Sequence, residues 1–174
     1  MNDQSVLETI QGIHFLQGTS REHLEQIASV AQIGVYDVGD ILFREGDVAD
    51  RIYLVVVGKL VLEVCTPEWG CKQIITVGPG EMLGWSSLSD HRRMVATARV
   101  IEKAQLVRID SAKLLAICDE DPQFGYEFMH RTMLALAKRL TATWTQLAQV
   151  QVVRYLPTSA SAGERSAEES GYAQ

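Results

Sequence analysis

The sequence lacks any long apolar segment. No stretch approaches the ~20 consecutive apolar residues that a membrane-spanning helix needs, and the N-terminus carries no apolar run typical of a signal peptide. The two absences predict a soluble, cytoplasmic chain without a membrane partner.

Positive charge is also scarce. The 174 residues include 16 Lys and Arg against 22 Asp and Glu, a net charge of −6. Nucleic-acid binding depends largely on Lys and Arg that neutralise phosphates, so no nucleic-acid partner is expected. A DNA-binding regulator that uses Arg92 and Arg93 is the alternative, and salt-dependent binding to random duplex DNA would distinguish it.

Cysteine is limited to Cys65, Cys71 and Cys118, without a CxxC spacing. An odd number without that spacing fits neither a disulfide framework nor a zinc or iron–sulfur site. Cys65 and Cys71 flank a predicted hairpin turn and can pair under oxidation. Free thiols are the expectation in a reducing cytoplasm.

Signatures of catalysis are missing as well. The sequence has no phosphate-binding loop, no nucleophile elbow and no cluster of metal ligands. The acidic run Asp119–Asp121 falls in a predicted loop between helices, where solvated carboxylates are common. The chain is therefore predicted not to be an enzyme and to hold no metal.

What is present is a chain of about one domain, in which a predicted β segment lies between two predicted helical segments. Residues 1–32 are predicted to be helical, and Thr19 with Glu22 forms a capping-box signature. Residues 33–110 contain short β-branched runs separated by glycine turn signals, which indicates a sandwich or barrel. The runs are Ile33–Tyr36, Ile41–Phe43, Ile52–Val57, Lys59–Val64, Gln73–Val77, Val95–Val100 and Ala104–Ile109. Together the segments predict an α+β fold.

Residues 111–156 are predicted to be helical again. Ser111 can cap a short helix that ends near Cys118, and Asp121-Pro122 can open a long one. Its heptad positions are Met129, Met133, Leu136, Leu140, Thr143, Leu147 and Val150. Alternating steps of four and three predict a coiled-coil seam and a homodimer, the alternative being a helix packed on its own core. The polar segment 157–174 is expected to be a disordered tail.

Three motifs stand in order along the chain. They are YDVGDILFREGD (Tyr36–Asp47), IYLVVVGKL (Ile52–Leu60) and GPGEMLGWSSL (Gly78–Leu88). Through them the chain resembles the cyclic-nucleotide-binding domain superfamily, the sensor domain of Crp/Fnr-type regulators, without the DNA-binding domain. The resemblance implies a jelly-roll β-roll flanked by N-terminal helices, with a long C-terminal dimerisation helix. In it Gly39, Gly46 and Gly58 match turn glycines that need positive φ.

The resemblance also implies a phosphate-binding cassette at residues 78–100. The ligand-binding positions that it implies are Gly80, Glu81, Gly84, Trp85, Ser86, Ser87, Arg92, Arg93, Met94 and Val95. Gly84–Leu88 is expected to form a short helix whose N–H groups, with the Ser86 and Ser87 hydroxyls, face an anion. The alternative is that both serines only cap a turn.

The cassette departs from the family pattern at two positions. Trp85 stands where cyclic-nucleotide binders have a glutamate for the ribose, and Met94 stands where they have an arginine for the phosphate. Arg92 and Arg93 lie just before Met94, and a shift of one residue turns Arg93 to the opposite face of a strand. We therefore expect that the cassette does not bind cAMP or cGMP in the usual way.

Thr143 matches the family position that reaches the nucleotide base across the dimer. Its alternative is a threonine tolerated where the helices splay. A haem, which some relatives bind, would need a second ligand beside His91, and none stands at a useful spacing.

The sequence thus favours a stand-alone dimeric small-molecule sensor with an unknown downstream protein partner. Its effector is expected to be a small anion, or a cyclic nucleotide if Arg92 or Arg93 compensates. A ligand-independent scaffold is the other alternative.

Overall fold

The computed structural model describes residues 3–68, 70–90 and 92–155, with side chains within the range 4–148. The helices are α1 (Asp3–Gln11), α2 (Arg21–Ser29), α3 (Ser111–Glu120) and α4 (Pro122–Tyr155), with 3-10 helices at His14–Leu16 and Trp85–Leu88. The strands are β1 (Ala31–Tyr36), β2 (Ile41–Phe43), β3 (Arg51–Thr66), β4 (Gly70–Val77), β5 (Met82–Leu83) and β6 (Thr97–Asp110). The predicted tail, residues 157–174, lies outside the described residues.

The strands form one antiparallel sheet around the two longest strands. The order is β1-β6-β3-β4, with β2 added to β6 and β5 added to β3. One apolar core lies between this sheet and the helices, and it includes Ile27, Ile52 and Phe128. A second core, which includes Phe43, Leu60 and Val100, fills the interior of the roll. The arrangement confirms the predicted α+β β-roll with a long C-terminal helix.

The sequence pattern predicted that Gly58 separates two strands, and this prediction was wrong. β3 runs through it without a break, and the register with β6 shifts between Val55 and Leu60. Gly58 has φ +87°, and a Cβ there would lie 2.2 Å from the carbonyl oxygen of Lys103. The glycine thus serves as a bulge that lets two backbones approach closely. The two runs predicted at Val95–Val100 and Ala104–Ile109 are likewise joined in the single strand β6.

Two helix caps lie one residue away from their predicted positions. Ser20, not Thr19, caps α2, because its hydroxyl accepts a hydrogen bond from the N–H of His23. Asp110, not Ser111, caps α3, and its carboxylate accepts from the N–H of Lys113. The Ser111 hydroxyl instead donates to the carbonyl of Asp50, at 2.8 Å.

The start of α4 follows the prediction. Pro122 is its first residue, and the Asp121 carboxylate accepts from the N–H groups of Gln123 and Phe124. The same carboxylate lies 2.9 Å from Nε2 of His23, which ties α2 to this junction. The hydrogen bond from Phe124 and then the contact with His23 lower the pKa of Asp121. Among the described residues no helix has the length and apolarity to cross a membrane.

The expectation of free thiols at Cys65 and Cys71 was wrong for this structure. The two residues are directly opposite each other in the β3–β4 hairpin, with their Cα atoms 3.9 Å apart, and they form a disulfide. Antiparallel pairing brings opposite side chains close enough for that bond. Cys118 is a free, buried thiol, and burial raises its pKa to about 11.

Candidate ligand-binding site

The cassette begins with a tight turn at Gly84. β5 pairs with β3, and Gly84 then takes φ +79° and leads into the 3-10 helix Trp85–Leu88. A Cβ at this position would lie 2.4 Å from the carbonyl oxygen of Arg51. Only glycine lets the turn pass this close to β3. The short helix predicted for Gly84–Leu88 follows this turn and is present at Trp85–Leu88.

The serines of this helix are turned into the protein. Ser86 and Ser87 are 3% and 1% exposed. The Ser87 hydroxyl and N–H both donate to the carbonyl of Gly84, at 2.8 and 3.0 Å. The Ser89 hydroxyl donates in the same way to the carbonyl of Ser86. The hydroxyl of Ser87 thus closes the turn from within the chain.

The segment that follows lies along the Gly46–Ala49 edge of the roll. Arg92 has φ +43°, and its carbonyl accepts from the N–H of Ala49. Arg93 forms a β-bridge with Val48, and its guanidinium donates to the carbonyl of Gly46 at 3.0 Å. Both arginines are therefore engaged with the neighbouring loop through backbone or side-chain contacts.

Met94 and Val95 point in different directions. Met94 is only 3% exposed and belongs to the core of the roll, together with Phe43, Tyr53 and Leu83. Val95 is exposed. Trp85, at the other departure from the family pattern, is half-buried and packs against the core between sheet and helices.

Gly80 and Glu81 lie before the cassette turn and have structural partners. The N–H of Gly80 donates to the carbonyl of Val55, and Gly80 has φ +81°. The Glu81 carboxylate accepts from the N–H of Gly78 at 2.8 Å. These two residues line a cavity of about 410 Å³ beside α4, and Gly84–Ser87 and Arg92–Val95 are not among its lining residues. The structure thus divides the predicted cassette residues between two places.

The predicted seam of α4 is open to solvent along one side. Met133, Leu140 and Leu147 are 54%, 50% and 58% exposed, whereas Met129 and Leu136 are half-buried. Thr143 is half-buried, and its hydroxyl donates to the carbonyl of Arg139. The side chain of Val150 lies outside the described residues.

Two aromatic residues on α4 were missed from the sequence. Tyr126 and Trp144 are 71% and 61% exposed. Tyr126 stands seven residues before Met133 and extends that row by one heptad, which was a usable signal. Trp144 adjoins Thr143 and widens the apolar surface. Exposed apolar side chains grouped on one surface are typical of an interface.

No group of three or more His, Cys, Asp or Glu side chains arranged for a metal ion occurs among the described residues. His91 lies outside them.

Comparison with known proteins gives the same fold and family. The sequence model described as "Cyclic nucleotide-binding domain" matches residues 34–121. The chain is 28% identical over 131 residues to the Cyclic AMP receptor protein of Thermus thermophilus, a match that covers 75% of this chain and 59% of that protein. The chain thus spans less than two thirds of that relative's length.

Solved structures have the same architecture. The Thermus thermophilus catabolite activator protein matches with a TM-score of 0.64 and 26% identity, over 79% of this chain and 63% of that one. A cyclic nucleotide-binding domain from Methylobacillus flagellatus matches with a TM-score of 0.71 over 84% of this chain and 83% of that one. The second match has 20% identity and indicates the fold alone.

Proposed function

The chain belongs to the cyclic nucleotide-binding domain family, and we propose that it is a dimeric regulatory module whose cassette does not hold a cyclic nucleotide in the family's usual way. The observation that carries this proposal is the burial of Met94, which occupies the core of the roll where the family resemblance expects a phosphate-binding arginine. In this proposal the regulatory signal passes between the roll and α4.

The two departures in the cassette remove the strongest contacts to a nucleotide. Loss of one partner of a buried charge pair costs about 2–5 kcal/mol, and a missing ribose hydrogen bond costs about 1–3 kcal/mol. At ~1.4 kcal/mol per decade, the two losses weaken binding by several orders of magnitude. Met94 and Trp85 cannot restore them, because neither side chain can pair with a phosphate or accept from a hydroxyl as a carboxylate does.

Arg93 is poorly placed to compensate. It is next to Met94, which points into the roll, and its guanidinium donates outward to the carbonyl of Gly46. Neighbouring residues of an extended segment face opposite sides. A phosphate contact from Arg93 would require the segment to turn over and Met94 to leave the core.

The outer face of α4 supports a homodimer. Met133, Leu140 and Leu147 follow one another at seven-residue intervals and are at least half exposed in the single chain. A second copy of α4 would cover them with the same residues, as a two-fold interface requires. Trp144 lies beside this row and would add a large apolar contact. We refer to these four residues as the outer stripe.

A sensor of this kind works only if its ligand binds one arrangement of roll and α4 more tightly than another. The alternative, a ligand-independent scaffold, has the same dimer and no effector. A response to any small anion separates the two.

Thermal unfolding of the full chain with cAMP, cGMP and a panel of small anions tests the proposal. A ligand at about 100 times its Kd stabilises the folded state by about 2.7 kcal/mol, a shift of several degrees. We expect no shift with either cyclic nucleotide. A shift with cAMP that disappears in the Arg93→Gln variant would contradict the proposal and identify Arg93 as the phosphate ligand. No shift with any anion would favour the scaffold.

A further inference from the structure

The cavity beside α4 has the size of a small-molecule site. Its volume is about 410 Å³, and it lies between α4, the 3-10 helix His14–Leu16 and the segment Gly80–Met82. Pockets for small ligands typically have volumes of about 300–1,000 Å³. The cavity therefore joins the roll, the N-terminal helices and the dimer helix.

One face of α4 lines this cavity. The lining residues of the helix are Arg131, Leu134, Ala135, Lys138 and Arg139. Their spacing of three, four, seven and eight residues from Arg131 places them on the same side of a helix. Met133, Leu140 and Leu147 follow a different row, so α4 has a cavity face distinct from its outer stripe.

The cavity is cationic within an acidic protein. Arg131, Lys138 and Arg139 contribute three positive charges, and Glu81 contributes one negative charge. Among the described residues, no carboxylate lies within ion-pair distance of Arg131 or Lys138. The whole chain has a net charge of −6. An anion is therefore favoured at this place and disfavoured over most of the surface.

The two arginines are held in place by main-chain carbonyl groups. Arg131 donates to the carbonyls of Phe15 and Gln17, and Arg139 donates to the carbonyl of Met82. Burial lowers the pKa of Arg139, and Glu81 opposes that shift. Each guanidinium has five N–H donors, so the carbonyl contacts leave donors available for a ligand. The two guanidinium groups are thus positioned before any ligand arrives.

The remaining walls are largely apolar, with Phe15, Met82 and Leu134 among them. We propose that this cavity binds a small organic anion whose carboxylate or phosphate head meets Lys138 and the two arginines while its apolar body lies against Phe15 and Leu134. The site includes Gly80 and Glu81 of the predicted cassette but none of Gly84–Ser87 or Arg92–Val95. The inference rests on the proposed function and adds to it the place and the chemical class of the ligand. A ligand there would fasten α4 to the roll, since it would contact both.

Binding of three probes of similar shape tests this inference: phenylacetate, phenyl phosphate and the neutral phenylacetamide. Calorimetric titration of the full chain should give saturable binding of at least one anion, and binding of the amide at least about tenfold weaker. The Lys138→Glu variant should weaken the anion by about tenfold or more. The matched control is Lys113→Glu, the same charge change at an exposed lysine of α3 outside the cavity, and it should bind as the wild type does.

Binding of either anion identifies the head group, and both results support the inference. Equal binding of the amide, an unchanged affinity in Lys138→Glu, or no binding of any probe at millimolar concentration would overturn it. Thermal unfolding without ligand verifies that each variant is folded. Anion binding that is lost in Arg93→Gln and kept in Lys138→Glu would place the ligand in the cassette, so the cavity inference would fail while a ligand sensor would remain.

Discussion

The β-roll and α4 differ in how far their side chains are buried or bonded within the chain. In the roll, Leu54, Val55 and Leu60 are fully buried, and the hydroxyl of Ser87 is bonded within its own turn. On α4, the apolar side chain of Leu140 and the charge of Lys138 have no comparable partners among the described residues. The roll is a closely packed scaffold, whereas α4 has an exposed apolar row and cationic side chains that line a cavity.

This contrast supports the proposal that α4, and not the cassette, binds a ligand and a second chain. The family resemblance implies a phosphate-binding arginine at position 94, and the residue there is Met94, a buried side chain in the core of the roll. Buried apolar contacts stabilise the scaffold whether or not a ligand is present. The groups that we propose for binding a ligand and a second chain are on two faces of α4.

The largest effect is expected from Gly58→Ala in the roll. Alanine there meets the carbonyl of Lys103 and takes an unfavourable φ, so we expect a loss of about 3–5 kcal/mol in the free energy of unfolding. The matched control is Gly39→Ala, which has φ +95° but no atom within 4 Å of the added Cβ. It should lose about 1–2 kcal/mol. Urea unfolding measures both, and equal losses would show that the roll is less closed than described.

On α4 the largest effect is expected from Leu140→Glu. A charge placed in the outer stripe should weaken the proposed homodimer by about 2–4 kcal/mol while the single chain stays folded. Ala142→Glu adds the same charge at an exposed position on another side of the helix and should leave the dimer intact. Sedimentation equilibrium gives the two dissociation constants. A wild-type chain that is monomeric at high concentration would contradict the dimer.

Thr143→Val should have a smaller effect on the seam. Valine has a similar shape and lacks the hydroxyl that donates to Arg139 within the helix. If Thr143 only lies between packed helices, the dimer should become tighter by about 1 kcal/mol or less. Sedimentation equilibrium measures this change, and calorimetric titration with phenylacetate and phenyl phosphate accompanies it. A loss of ligand affinity with an unchanged dimer would instead make Thr143 a ligand contact.

The smallest effect concerns the junction where α4 begins. The pKa of Asp121 is lowered in the folded chain, so the unfolded chain binds this proton first as the pH falls. The stability that Asp121 adds is complete above its ordinary pKa of 3.8 and is lost as the pH falls through the lower, folded-state value. Asp121→Asn keeps a capping side chain, so urea unfolding should show a weaker acid dependence for the variant in this range. An identical acid dependence would mean that the junction is not coupled to this carboxylate.

Much of the roll could be predicted because its turns depend on local residue chemistry. Gly39 and Gly46 have φ of +95° and +84°, and with Gly58 they confirm the predicted positive-φ glycines. The continuity of β3 through Gly58 could not be predicted locally, because it depends on pairing with β6, which is distant in sequence. Each cap was one residue away from its predicted position, since neighbouring residues, Thr19 and Ser20 or Asp110 and Ser111, can both cap a helix.

The site was harder to predict than the fold. Trp85 and Met94 were recognised from the family pattern, but whether Met94 enters the core depends on packing across the roll. The cavity beside α4 was missed because Phe15, Glu81 and Lys138 are far apart in sequence and no motif connects them. The Cys65–Cys71 disulfide was not predicted, because the expectation of free thiols followed from redox conditions, whereas the structure pairs the two residues through strand register.

The most direct test of the closed cassette is a nitrogen-15 NMR titration of the full chain with cAMP. We predict that the amide signals of Gly84, Ser86 and Ser87 do not change at millimolar cAMP, because their turn is already bonded within the chain. Saturable changes confined to Gly84–Leu88 and Arg92–Val95 would contradict the account and restore the cassette as a cyclic-nucleotide site.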